Sequence, residues 1–307
     1  MNAPVIDTVQ WRAAVPLMLV SLLPCTPFAH AGIVFSALRQ ATWSIYIQPD
    51  LTSAPKPIEE AIPGDASAPA LAPDGRRVAL EKQGQGVYVC ERGPSSTCQL
   101  IRLKRGSAVR PAWHPRTNEL LFVRYLTGGA HEDSDFMITR DALKTTSIFI
   151  EQTGIQDYPD FSPDGRFLAY TVSSTISLHR NGMQVVQQLW LMDLGSGRGR
   201  QLLMSNARDL QPDWSPSGQE LAFASDRTGQ YEIWVVRSDG TGLRQVTSGL
   251  GAKTWPAWSP DGRSIMFTQV KDGQHGLRII GPDGSNDRPF KPFGSKSNIE
   301  LRDADWR

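Results

Sequence analysis

The chain has 307 residues, a net charge of +1, only 21% charged residues, 27 glycines, 22 prolines and nine tryptophans. Glycine and proline exceed their usual joint share of about 12%, which argues against a coiled coil or helical bundle. The 40% hydrophobic content argues against disorder. The balanced charge argues against a nucleic-acid partner held through phosphate neutralisation.

In residues 1–31, Arg12 precedes an apolar run from Ala13 to Leu23, and Ala29-His30-Ala31 puts small residues at −3 and −1 of a cut before Gly32. That layout predicts a signal peptide cleaved after Ala31, and hence export to the periplasm. The run falls short of the ~20 apolar residues that span a bilayer, and Pro16, Pro24 and Pro27 interrupt it, so no transmembrane span is expected. Cys25 follows Leu22-Leu23-Pro24, similar to a lipoprotein processing site except for its proline. Cleavage leaves Cys90 and Cys98, an even pair in an oxidising compartment, flanking a Gly93-Pro94 loop between two apolar runs. A hairpin disulfide fits this spacing and would contribute about 2–3 kcal/mol; two free thiols are the alternative. The dispersed histidines supply too few further ligands for a metal site, and no cofactor is expected.

A repeat begins beyond residue 62. Its copies start at Pro69, Pro111, Pro159, Pro212 and Pro256, and read Pro-x-aromatic-Ser-Pro-Asp-Gly followed by a short apolar strand. Proline sets φ, aspartate bonds its own backbone and glycine takes positive φ, so Ser-Pro-Asp-Gly is a tight turn between two strands. The second strand alternates, as in Leu221 and Phe223 against Glu220. A strand–turn–strand signal follows, as in 231–247 and 188–203. Four short antiparallel strands per unit, at spacings of 42 to 53 residues, describe a propeller blade. At the C-terminal end Ala304-Asp305-Trp306 matches Pro212-Asp213-Trp214. The three strands missing from that unit are predicted at Ile33, Thr42 and Lys56. The expectation is an all-β, six-bladed β-propeller whose N- and C-terminal strands share one blade, leaving no open edge in the ring. The predicted blades are 32–62 with 303–307, 67–105, 109–154, 157–205, 210–248 and 254–292, forming a single domain over 32–307.

The cores Trp258-Ser259-Pro260-Asp261-Gly262 and Trp214-Ser215-Pro216-Ser217-Gly218 resemble TolB-type (PD40, WD40-like) propeller repeats. The copies at Leu71–Gly75 and Trp113–Thr117 are degenerate. The likeness covers nearly all of 32–307 and is that of a propeller-only relative, lacking the α/β domain that precedes the TolB propeller. It implies a periplasmic protein whose mouth or face binds protein partners. Families with the same repeat also include sugar-acid lyases and the non-catalytic propellers of serine peptidases.

The residue before each motif proline should ring one mouth of the central channel. Those residues are Ala68, Arg110, Tyr158, Gln211, Trp255 and Asp303. Aromatics with an arginine are common anchors of a protein contact; packing of a loop collar is the alternative. Two long loops should face the same side. One, 126–135, carries His131, Glu132, Asp133 and Asp135, without the spacing of an EF-hand. The other, 173–187, carries His179 and Arg180. Asp160, Asp213 and Asp305 could make the channel acidic or could bond backbone of the adjacent blade. Trp113, Trp214, Trp258 and Trp306 read as core between blades. No Gly-x-Ser-x-Gly elbow or paired-histidine motif is present. The sequence is therefore read as a monomeric, non-catalytic scaffold for a protein partner in an envelope or secretion assembly. A lyase or other carbohydrate-active enzyme, with Tyr158 as base beside Arg110 and Asp303, is the alternative.

Overall fold

The computed structural model describes residues 32–307 apart from 59–63, 94–96, 127–132, 141–142, 151–153, 179–181 and 295–296, with backbone alone at 175–178 and 182–184. Twenty-four strands form six four-stranded antiparallel sheets. Blade I holds β1 (Ile33–Arg39), β2 (Thr42–Gln48) and β3 (Lys56–Pro57). Blade II holds β4 (Ala66–Leu71), β5 (Arg77–Lys82), β6 (Gly86–Glu91) and β7 (Cys98–Leu100). Blade III holds β8 (Ser107–Trp113), β9 (Leu120–Leu126), β10 (Asp133–Arg140) and β11 (Thr145–Ile150). Blade IV holds β12 (Ile155–Phe161), β13 (Phe167–Leu178), β14 (Gly182–Asp193) and β15 (Arg198–Gln201). Blade V holds β16 (Asp209–Trp214), β17 (Glu220–Ser225), β18 (Glu232–Arg237) and β19 (Arg244–Gln245). Blade VI holds β20 (Ala252–Trp258), β21 (Ile265–Lys271), β22 (Gln274–Ile280) and β23 (Arg288–Pro289). The last strand, β24 (Leu301–Trp306), returns to blade I and lies against β1, with Ile33 opposite Trp306. The propeller is thus closed by its two ends. No helix among the described residues is long and apolar enough to cross a membrane.

Six hydrophobic clusters hold the ring together, one at each blade interface. Side chains of a strand alternate between its two faces, and both faces of a blade meet a neighbour. Leu221 and Phe223 of β17 pack toward blade IV, while Ala222 and Ala224 pack toward blade VI. The alternation is therefore large against small, rather than apolar against polar as Glu220 implies. Trp113, Trp214 and Trp258 are buried in three of these interfaces, and Trp306 packs against a fourth.

The Ser-Pro-Asp-Gly turns form as their chemistry dictates. Asp261 accepts hydrogen bonds from Ser259 Oγ at 2.6 Å and Arg263 N at 3.0 Å, and Gly262 N donates to Ser259 O at 2.9 Å. Gly262 has φ +69°, and a Cβ there would stand 3.3 Å from Pro216 Cγ of the preceding blade. Glycine is needed both for the left-handed turn and for this approach. The degenerate turn of blade III substitutes another device. His114 Nδ1 accepts from the N–H groups of Arg116 and Thr117, each at 3.2 Å, and burial pushes the imidazole pKa down. Cys90 and Cys98 face one another across β6 and β7 and are joined as a disulfide, with S–S 2.01 Å.

Candidate functional site

Each first strand carries a break in its ladder at one place. The register slips between Ser67 and Ala70, Val109 and Ala112, Asp157 and Asp160, Leu210 and Asp213, and Thr254 and Ala257; opposite β24 it slips between Val34 and Ser36. Inside these bulges Ala68, Arg110, Tyr158, Gln211, Trp255 and Asp303 all have φ between +45° and +55°. Left-handed backbone is costly for residues with a Cβ, about 1–3 kcal/mol each, so six repeats of it need a cause. Five precede proline, but Asp303 precedes Ala304 and is bent alike.

The cause lies in the N–H groups that the bulge releases from the ladder. Side chains capture them, mostly from the preceding blade. Arg110 N donates to Glu81 at 3.4 Å, Trp255 N to the Gln211 side-chain oxygen at 2.9 Å, and Asp303 N to Thr268 Oγ1 at 3.0 Å. Ala68 N donates to the Asp303 carboxylate. Tyr158 N uses its own neighbour, Asp157, at 2.9 Å. The ring of bulges is thus also a ring of stitches between blades.

All six residues line one chamber of about 90 Å³ at the mouth of the channel. Arg110 lies across it, its guanidinium 4.8 Å from the Tyr158 ring centroid and 5.3 Å from that of Trp255. The two aromatic rings meet edge to face at 5.5 Å. Arg110 also pairs with Glu81 at 3.3 Å and Asp157 at 3.5 Å, and donates to the Tyr158 hydroxyl at 3.4 Å. Burial pulls the Arg110 pKa down, but Tyr158, Asp157 and Glu81 outweigh it and hold it above the usual value. Burial pushes the Tyr158 phenol and the Asp157 carboxyl upward against the field of Arg110. It pushes Asp303 upward too, against Arg302 and Arg110.

Below the mouth the three motif aspartates bond the adjacent blade. Asp160 accepts from Trp214 N at 2.9 Å, Asp213 from Trp258 N at 2.7 Å and Asp305 from Leu71 N at 2.7 Å. They also surround Arg307, which pairs with Asp160 at 3.0 Å and Asp305 at 2.9 Å. Both readings of these aspartates therefore hold: they stitch blades, and they form an acidic belt that one guanidinium fills. Burial and the neighbouring Asp160 push Asp213 well above the usual carboxylate range. At the far end, a smaller chamber of about 50 Å³ is walled by Trp113, Trp214, Trp258 and Trp306 with the turn prolines.

The loop residues fare differently. His131, Glu132, His179 and Arg180 lie outside the described residues. Asp133 and Asp135, expected in a loop, belong to β10, where Asp135 is buried and ion-paired to Arg124. The stretch 173–187, also expected as a loop, is largely strand, because its Ser, Thr, Ile and Val residues extend β13 and β14. Sequence reasoning missed Glu81, Tyr125, Asp157 and Arg307. Tyr125 donates to Asp157 at 2.8 Å and so braces Arg110 from behind. Only the carboxylate beside Tyr158 offered a local signal.

The sequence model of the TolB beta propeller domain (PD40) matches residues 130–288, just over half of the chain. The chain belongs to the TolB β-propeller family. Of solved structures, TolB from Acinetobacter baumannii is similar with TM-score 0.71 and 18% identity, over 92% of this chain and 67% of that one. An oligogalacturonate lyase in complex with manganese is similar with TM-score 0.59 and 13% identity, over 86% of this chain and 74% of that one. At such identities the likeness is one of fold. An uncharacterised protein of Agrobacterium fabrum is 35% identical over 88 residues, covering 28% of this chain and 27% of that protein. The TolB-type chain thus spans only about a quarter of that relative's length. Among the described residues no group of three or more His, Cys, Asp or Glu could hold a metal ion.

Proposed function

We propose that this TolB-type propeller is an exported, periplasmic, monomeric and non-catalytic scaffold that docks a protein partner of an envelope or secretion assembly at the channel mouth. The observation that carries this reading is the Arg110–Tyr158–Trp255 stack across a chamber of about 90 Å³. Pockets that enclose a small substrate run to ~300 Å³ or more, whereas arginine and aromatic side chains at a shallow, preformed site suit a protein anchor. The half-buried phenol of Tyr158, whose pKa burial raises, is a poor base near neutral pH, which speaks against the lyase alternative. Nucleic acid is not expected as a partner, given the +1 charge.

Capture of envelope proteins by the tagged chain tests this. Wild type should retain at least one partner that the Arg110→Ala/Tyr158→Ala/Trp255→Ala variant loses, with the variant's circular dichroism unchanged. Equal recovery of every protein by both would remove the mouth as the docking site.

A further inference from the structure

On the floor side of the ring the interface between blades IV and V opens into a cleft of about 360 Å³. The strand register accounts for it. Phe167 of β13 stands opposite Asp193 of β14, and Asp193 opposite Arg198 of β15; one rung inward Ala169, Leu191 and Arg200 stand in line. Side chains two apart on a strand share a face, so both rungs look the same way. Leu191 packs with Trp214, Leu221 and Val236, which fixes that face as the one turned toward blade V and closes the interface there. Nearer the floor surface blade V offers Gly218 and Ser238, too small to fill the space opposite Phe167 and Arg198. Pockets that hold small molecules begin at ~300 Å³, a size this cleft reaches and the mouth chamber does not.

The cleft has an apolar wall and a cationic lip. Phe167, Leu191 and Trp214 form the wall, and Arg198 and Arg200 stand on the outer strand beside it. Arg200 reaches across to donate to the Ser238 carbonyl of blade V. Among the described residues the Arg198 guanidinium has no hydrogen-bond or ion-pair partner, and no carboxylate stands within ion-pair distance of Arg200. Two carboxylates lie nearby, and each is committed to its own turn. Asp193 Oδ1 accepts from Gly195 N and Ser196 N, each at 2.9 Å. Asp239 Oδ1 accepts from Thr241 N at 2.8 Å and Thr241 Oγ1 at 2.7 Å. Guanidinium N–H groups left over beside an apolar wall are the few convergent polar groups that orient a ligand in such a pocket.

We propose that this cleft binds a small organic anion, with a one- or two-ring apolar body against Phe167, Leu191 and Trp214 and a carboxylate held by Arg198 and the remaining N–H groups of Arg200. The guanidinium fork matches a carboxylate in geometry as well as in charge. A neutral apolar ligand would leave the arginines unused, and a bare inorganic anion would leave the wall unused. The ligand touches both blades, since Trp214 and Ser238 belong to blade V and the arginines to blade IV. Its binding therefore ties the two together and stabilises the fold by mass action. The cleft lies on the side of the ring away from the mouth, so this site is additional to the docking site and independent of it.

The test titrates 2-naphthoate into the full chain and follows amide chemical shifts, with 2-naphthylmethanol and 2-naphthylmethylamine as the neutral and cationic counterparts. Naphthoate should bind with a Kd of about 1 mM or tighter, the range for so small a probe. It should shift the amides of 191–200 and 238 and leave those of Arg110 and Tyr158 in place. The alcohol and the amine should bind at least tenfold more weakly, and inorganic phosphate should not displace naphthoate. Arg198→Gln/Arg200→Gln should weaken naphthoate at least tenfold and abolish the rise in Tm that it gives the wild type. Because Arg200 also bridges to blade V, Arg198→Gln alone is measured beside it; this guanidinium holds nothing in the protein, so affinity should fall at least threefold with Tm unchanged. The proposal is overturned if naphthoate moves no amide of the cleft, or if Arg198→Gln keeps full affinity. Equal binding of all three probes, which would make the cleft an unselective apolar crevice, sinks it too, as does displacement by phosphate.

Discussion

The two ends of the central channel are built by the same six strands and follow opposite rules. At the floor one residue type recurs in four of the six blades: Trp113, Trp214, Trp258 and Trp306 occupy one repeat position, which Leu71 and Phe161 fill in the other two, with turn prolines beside them. At the mouth the backbone recurs, with six left-handed residues in six bulges, while the side chains are alanine, arginine, tyrosine, glutamine, tryptophan and aspartate. A buried wedge between blades admits few shapes, so the floor repeats its chemistry. A ring of side chains facing an open chamber is free to differ once its backbone is held. The difference teaches that identity within a repeat marks construction here, and variety on a constant backbone marks a surface available for recognition.

That contrast can be broken at several points. Trp214→Ala at the floor should cost about 3–5 kcal/mol in urea unfolding; a loss below 1 kcal/mol would show that the floor does not carry the ring. Between the two ends, Arg307→Ala leaves the buried carboxylates of Asp160 and Asp305 without their cation, at a cost of about 3 kcal/mol near pH 7. Burial pushes the Asp160 carboxyl upward against Arg307, so the deficit should shrink as pH falls and Asp160 protonates; a deficit independent of pH would mean the guanidinium acts only by packing.

At a floor turn, Gly262→Ala meets both the positive φ and Pro216, and should destabilise by about 1–2 kcal/mol. Ala68→Gly at the mouth should do the reverse. It relieves the left-handed strain and loses only a methyl group, so stability should rise by up to about 1 kcal/mol after the larger unfolded-state entropy of glycine is counted. A fall in Tm would show the mouth backbone to be unstrained.

The smallest expected effect is a slope with pH. Burial holds His114 neutral in the fold, with its pKa below the unfolded value. The unfolded chain therefore binds the extra proton first, and stability is lost as pH falls through about 6.5. His114→Asn can still accept the Arg116 and Thr117 N–H groups, so its Tm should fall less than that of wild type between pH 7 and pH 5. Parallel curves would remove the imidazole from the pH response.

Much of the fold was legible because propeller blades repeat. Proline, aspartate and glycine at fixed offsets predict the turns, and the tryptophans mark blade interfaces. The return of β24 to β1 follows from a motif that begins at Ala304 and lacks its other three strands. The mouth positions could be placed from the same offsets, since the start of a first strand has one location in a propeller. The partners of those positions could not. Glu81 lies 29 residues from Arg110, and Arg307 lies 147 residues from Asp160. No local pattern announces pairings made across blades. The stretch 173–187 was hidden for another reason: its small polar residues carry loop-like composition, and only pairing makes them strands.

The sequence by itself determined the architecture, its six-fold count, its closure and the residues that stand at the mouth of the channel. All of these rest on short-range turn chemistry and strand alternation, repeated often enough to be read without coordinates. Tertiary structure alone decided the left-handed bend at the mouth, the stacking of Arg110 on Tyr158 and Trp255, and the capture of Arg307 by Asp160 and Asp305. Each depends on a group from one blade meeting a group from elsewhere in the ring, and that meeting is set by how the blades close.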